Sequence, residues 1–202
     1  MNILGISYSL HESAACLLQD GRLVFAIAEE RLSKKKQDAG FPVLAIQACL
    51  DHAGLKFSDI DHVALGWSKP GATAKHNLRL MLAGDWPRSK MRLERTLLGW
   101  IKDIRHQGGK TDMERAFGPL HCPFHFINHH MAHALSAFSL SGFKESAVLV
   151  IDGRGAHEAT TLWHAKDGQI KLLEEYSYPN SIGVFYAGIT SMLGFQPLSD
   201  EW

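Results

Sequence analysis

Three short apolar stretches open the chain, and their spacing predicts a run of strands. Asn2 to Tyr8 and Ser13 to Gln19 are apolar and short, Asp20-Gly21 is a two-residue turn signal, and Arg22 to Ala28 is apolar again. A hairpin at Asp20-Gly21 follows. After Phe41-Pro42 the period changes: Val43, Ile46, Leu50 and Ala53 fall on one helical face, and Gly54 stops the helix. Asp61 to Trp67 returns to a strand. The order β-β-β-α-β predicts an RNase H-like α/β lobe.

Residues 70 to 118 differ in texture. They are basic, Trp-containing and broken by Gly84, Pro87, Gly99 and Gly108-Gly109, which predicts a helical insertion or lid. Pro123 to Ile127 reads as a short strand, and Asn128 can cap a helix from His129 to about Ser139. From Ser146 the opening pattern repeats. Strands are expected over Ala147 to Ile151, Ala159 to His164 and Ile170 to Tyr176, with Asp167-Gly168 as a turn, then a helix from Ile182 to Leu193 ended by Gly194. Two hairpins at Asp-Gly turns, each followed by a Pro-preceded helix, predict a duplicated actin/RNase H-like (ASKHA) fold. A first lobe is expected over 1–145 and an incomplete second lobe over 146–202, because the second copy stops after its first helix.

Composition narrows the function classes. The 202 residues are 46% hydrophobic, enough for a packed core, and the 21 basic and 21 acidic side chains cancel, which favours no polyanion and so no nucleic acid. The basic run Lys34-Lys35-Lys36 reads equally as a solvated turn or a binding element. Cys16, Cys49 and Cys122 are odd in number and far apart, which argues for a reducing compartment rather than a disulfide framework. The N-terminus lacks the pattern of a signal peptide and no apolar run approaches a membrane span, so a cytoplasmic protein without membrane contact is expected.

Twelve histidines are many for this length, and His121, His125, His129, His130 and His133 crowd one stretch. On a helix, His129 and His133 share a face and can point at one metal ion, whereas His130 is turned roughly 100° away. A bare HxxxH also describes exposed or capping histidines; a preceding strand and an N-cap set this pair at a sheet edge, where α/β sites sit. Asp152 ends an apolar strand and is followed by Gly153 and Gly155, so it can ligate a metal while the backbone approaches a phosphate closely. Alone, that segment reads better as an ordinary Asp-Gly hairpin turn. Together with the His pair it makes a two-nitrogen, one-carboxylate site that still wants a fourth ligand. His11, after the first strand, is either a general base near its working pKa or a turn histidine without a role.

Five blocks in order resemble the O-carbamoyltransferases of the nodulation and antibiotic-tailoring type. They are GISYSLHESAACLL at 5–18, EERLSKKKQDAGFP at 29–42, NHHMAHALSAF at 128–138, VIDGRGAHEATTLW at 150–163 and SIGVFYAGITSMLGF at 181–195. The resemblance implies an N-terminal actin-fold module that moves a carbamoyl group from carbamoyladenylate to an acceptor hydroxyl at a metal-containing site. It assigns His129, His133 and Asp152 to the metal, His11 to activation of the acceptor hydroxyl, and Lys36 to the carbamoyl donor. Gly153, Gly155, Ser181 and Gly183 join the cofactor-binding set. Two imidazoles with carboxylates suit Fe(II), Zn or Mn alike, so iron rests on the family alone. ATP and carbamoyl phosphate are the implied substrates of the full-length enzyme. The implied partners are a small-molecule hydroxyl acceptor and a C-terminal domain, not contained in this chain, that makes carbamoyladenylate; a homodimer is compatible. The fourth metal ligand and most nucleotide contacts are expected beyond Trp202, and residues 1–202 are expected to be inactive alone.

Two rivals remain beside this reading. The tRNA threonylcarbamoyl-transfer proteins share the fold and the HxxxH pair, but carry a Ser-Cys-Asp-rich turn where this chain has Ser9-Leu10-His11-Glu12. A non-catalytic metal-binding or partner-recruiting domain would hold metal without turnover. A sugar kinase needs no HxxxH pair.

Overall fold

The computed structural model describes residues 1–8, 12–68, 82, 109–197 and 199–200. They fall into two compact units, Met1–Ile127 and Asn128–Trp202.

In the first unit, β1 (Asn2–Ser7), β2 (Ala14–Gln19), β3 (Arg22–Ala28), β4 (His62–Leu65) and β5 (Phe124–Phe126) form one sheet in the order β3-β2-β1-β4-β5. Neighbours β1–β2 and β2–β3 are antiparallel, while β4 runs parallel to β1 and β5 parallel to β4. An antiparallel three-stranded meander extended by two parallel strands is the RNase H-like order, and it makes this an actin/RNase H-like α/β chain. The register explains the core. Leu4 pairs with Leu17 and Val63, and Ile6 with Ala15 and Leu65, so alternate residues line up in rows on one face. Onto that face α2 (Val43–Ala53) lays Ala45, Ile46, Cys49 and Leu50, all buried.

Local chemistry sets the element ends. Asp20 and Gly21 both have positive φ, 49° and 78°, as the tight hairpin between β2 and β3 requires. Gly54 ends α2 in the left-handed region. A short helix that the apolar pattern did not announce, α1 (Glu29–Ser33), follows β3 and buries Glu29. The Glu29 carboxylate accepts from the backbone N–H groups of Leu44 (3.1 Å) and Ala45 (2.7 Å). Pro42, at the N-cap, makes no side-chain cap, so this remote carboxylate satisfies the first turn of α2 instead. Of the stretch 70–118, the described part contains α3 (Lys110–Phe117); most of the expected insertion lies outside the described residues.

The second unit opens with α4 (His129–Ser141), followed by β6 (Glu145–Ile151), β7 (Glu158–Lys166), β8 (Gln169–Ser177) and α5 (Ile182–Met192). The three strands form an antiparallel sheet in chain order, with Asp167 and Gly168 again at positive φ in the β7–β8 turn. Ala134 from α4 packs with Val150 and Trp163, and Met131, Val148 and Ile170 close around them. The same strand–strand–strand–helix order thus occurs in both units. Among the described residues no helix is long and apolar enough to cross a membrane.

Candidate metal centre

The end of β6 and the first turns of α4 carry the site. Asn128 caps α4 by accepting from the Met131 N–H at 2.9 Å, and its amide donates to the Glu158 carboxylate at the start of β7. One side chain therefore starts the helix and ties it to the sheet. His129 and His133 lie one turn apart on the same face, with Nε2 atoms 3.1 Å apart. Asp152 follows β6 directly. Its Oδ1 accepts from the Gly153 N–H at 2.6 Å, which leaves Oδ2 facing His129 Nε2 at 3.0 Å.

One ligand atom from each of His129, His133 and Asp152 can be chosen so that all three lie within 4.8 Å of one another. Bonds of about 2.1 Å from a tetrahedral ion place its ligand atoms roughly 3.4 Å apart. The 3.0 and 3.1 Å separations are close to that, so a small opening of the cluster fits a single divalent ion. The donor set, two imidazoles and a carboxylate, is one that Fe(II), Zn and Mn all accept.

Electrostatics favour the ligating forms. The His129 hydrogen bond holds the Asp152 carboxyl down to about 2, so it is a carboxylate throughout the physiological range. His133 is exposed as a residue, but partial burial of its ring, and then the neighbouring His129, push its pKa below the ordinary value. A neutral imidazole is what a metal requires. A groove of about 600 Å³ adjoins the cluster, lined by His133 and Asp152 together with Ser136, Ala137, Leu140 and Val148.

The other sequence-predicted residues take distinct places. Gly155 packs against the site: a Cβ there would meet His130 Cδ2 at 2.9 Å and His129 Cδ2 at 3.3 Å. Ser181 is the N-cap of α5, accepting from the Val184 N–H and directing its own hydroxyl at the carbonyls of Asp152 and Gly153, both at 2.9 Å. Gly183 allows α5 to touch the same peptide, since a Cβ would lie 2.7 Å from Asp152 C and O and from Gly153 N. Both residues thus fasten α5 to the backbone that carries Asp152. Lys36 is exposed in a turn of the first unit, and His11 lies outside the described residues.

Gly183→Ala should report on that fastening. The crowded atoms are backbone and cannot swing away, so a destabilisation of roughly 1–3 kcal/mol is expected, visible as a lower Tm and, because Asp152 must shift, as weaker metal binding. A variant with unchanged Tm and unchanged metal affinity would contradict this role of α5.

Three residues of the site's surroundings were not singled out from the sequence as part of it. His130 is fully buried, with Nδ1 2.9 Å from Thr161 Oγ1, and burial lowers its pKa. Glu158 is buried as well. Burial works against its charge, yet backbone N–H groups of Glu158 and His157, then the His157 ring and Asn128, outweigh it and leave the carboxyl below its ordinary value. Thr161 completes the set. The available signal was the segment Glu158-Ala159-Thr160-Thr161, where a strand places polar and small residues consecutively and the structure buries all four.

The family model described as "Carbamoyltransferase N-terminus" matches residues 2–202. The chain belongs to this family. It is 36% identical over 208 residues to the uncharacterized protein sll1178 of Synechocystis sp., covering 100% of this chain and 33% of that protein. Against the nodulation protein NolNO of Sinorhizobium fredii it is 31% identical, covering 92% of this chain and 26% of that protein. The chain therefore spans about a third or less of the length of these relatives. Among solved structures, YeaZ from Pseudomonas aeruginosa is similar with a TM-score of 0.44 and 16% identity, over 89% of this chain and 69% of that one. The (R)-2-hydroxyglutaryl-CoA dehydratase component A of Acidaminococcus fermentans gives a TM-score of 0.45 and 12% identity, over 97% of this chain and 55% of that one.

Proposed function

We propose that the chain performs the transfer step of an O-carbamoyltransferase, holding a divalent metal, in this family iron, between His129, His133 and Asp152. The observation that carries the reading is the convergence of these three ligand atoms within 4.8 Å, in a chain of the carbamoyltransferase family. A divalent ion bound there supplies Lewis acidity toward a carbonyl oxygen. The chain's own residues do the rest. His11 takes the proton from the acceptor hydroxyl as its oxygen bonds to the carbamoyl carbon. The bond from that carbon to the phosphate oxygen of carbamoyladenylate breaks, and AMP leaves with the electron pair. Lys36 neutralises charge on the donor. Gly153, with open space where a Cβ would stand, lets donor phosphate approach the backbone beside Asp152. Gly155 makes room for the His129 and His130 rings, and Ser181 and Gly183 hold the backbone beside Asp152 in place. The acceptor is a small molecule bearing a hydroxyl group, and carbamoyladenylate is formed from carbamoyl phosphate and ATP.

The test is transfer of labelled carbamoyl from carbamoyl phosphate and ATP to a panel of hydroxyl compounds by the protein that carries this chain. Activity should vanish on removal of metal by a chelator and return on adding Fe(II). Metal binding without transfer to any hydroxyl, including after Fe(II) addition, would favour a non-catalytic metal domain.

A further inference from the structure

His130 stands beside the proposed metal ligands, and the reading above gives it no task. Its side chain is fully buried. Its Nδ1 lies 2.9 Å from Thr161 Oγ1, and Trp163 Nε1 lies 2.7 Å from that same oxygen. An indole N–H can only donate, so Thr161 Oγ1 accepts from Trp163. The Thr161 hydroxyl hydrogen is itself buried and needs an acceptor, which His130 Nδ1 provides. With Nδ1 accepting, the ring proton sits on Nε2.

That Nε2 is buried and has no hydrogen-bond partner among the described residues. Asp152 Oδ2 lies 3.9 Å from it. The other carboxylate oxygen is already engaged by the Gly153 N–H, so Oδ2 is the oxygen left to turn. Oδ2 is paired with His129 Nε2 at 3.0 Å. Ligation of a cation by His129 Nε2 must displace any proton from that nitrogen, and the His129–Asp152 hydrogen bond with it. A buried N–H donor about 1 Å beyond hydrogen-bond reach is then placed to take over. Gly155 keeps the rings in position, because any side chain there would press on His130 Cδ2 and His129 Cδ2.

We infer that His130 is a positioning residue of the metal centre: Thr161 fixes its tautomer, and its Nε2–H supports the carboxylate oxygen of Asp152 that faces the metal. The inference rests on the metal reading proposed above. A histidine that merely filled the core would be replaceable by an apolar side chain of similar size.

The test compares wild type with His130→Leu, His130→Gln, Thr161→Val and Thr161→Ser, using Zn(II) as the probe in competition with a colorimetric chelator. Loss of an outer-shell partner typically weakens metal binding about 10–100-fold. That loss is expected for His130→Leu and Thr161→Val. His130→Gln, whose amide N–H can reach the Nε2 position, and Thr161→Ser, which keeps the hydroxyl, should recover most of the affinity. Ring 15N shifts in the wild type should show His130 protonated on Nε2, a readout that does not depend on metal or on any variant folding. Wild-type affinity in His130→Leu and Thr161→Val, or a proton on Nδ1, would overturn the inference. Failure of the wild type itself to bind Zn(II) would instead overturn the metal reading, and this inference with it.

Discussion

Purified without chelator, the protein should carry a divalent transition metal, and the double substitution His129→Ala/His133→Ala should reduce it to background. Both nitrogens of the cluster are lost in that variant, and a single carboxylate with a backbone-bonded oxygen is a poor site for a transition metal. Neither ring is part of the two apolar cores, so the fold should survive the change. Elemental analysis of untagged wild type and variant decides the matter, with circular dichroism to verify folding. Equal metal in both would remove the assignment. The pH dependence has a definite sign. A proton on a ligating imidazole excludes the metal, so occupancy falls as pH falls. Because partial burial and His129 hold the His133 pKa below 6.5, its nitrogen stays available at lower pH than an ordinary histidine's, and Asp152, at about 2, is not the limiting proton. Occupancy, followed by elemental analysis across a pH series, should therefore fall toward acid pH, and occupancy that rises toward acid pH would contradict imidazole ligation.

His11→Ala should slow carbamoyl transfer by about 10²–10⁴-fold, the usual effect of removing a general base, while formation of carbamoyladenylate continues. The prediction rests on the position of His11 between β1 and β2 and on the family resemblance, since the residue itself lies outside the described residues. Imidazole is the common side chain that accepts a proton near neutral pH without special burial. His11→Asn keeps polarity and approximate size but cannot take the proton, and should be as slow as His11→Ala. The two steps are separated by following AMP release and product carbamate independently. Joint failure of both steps would make His11 a donor-binding residue, and full activity would remove it from the mechanism.

The strand and helix pattern was legible in the sequence because its signals are local. Asp20-Gly21 and Asp167-Gly168 mark hairpins through the positive φ that both turns demand, and Gly54 ends α2 for the same reason. Asn128 was readable as the cap of α4, and the four-residue spacing of His129 and His133 was enough to put them on one face. Helix and strand periods carry that information without reference to distant residues. Pairing of the His face with Asp152 was an inference from strand-end position and family resemblance, and the tertiary structure brings those atoms within reach.

What only the tertiary structure decided concerns buried polar groups, whose partners come from elsewhere in the chain. Glu29 stands just past the third apolar stretch, yet it caps a helix that begins 14 residues later by satisfying Leu44 and Ala45. His130 was off the metal face by helical geometry, and nothing in its own spacing pointed to Thr161, which is 31 residues away. Ser181 and Gly183 stood out as part of a family block, but the Cβ-free approach of α5 to the Asp152–Gly153 peptide exists only once the sheet and helix have packed. Periodicity reports which face of an element is buried. It cannot report which donor meets which acceptor there, because that depends on the register and packing of elements far apart in sequence.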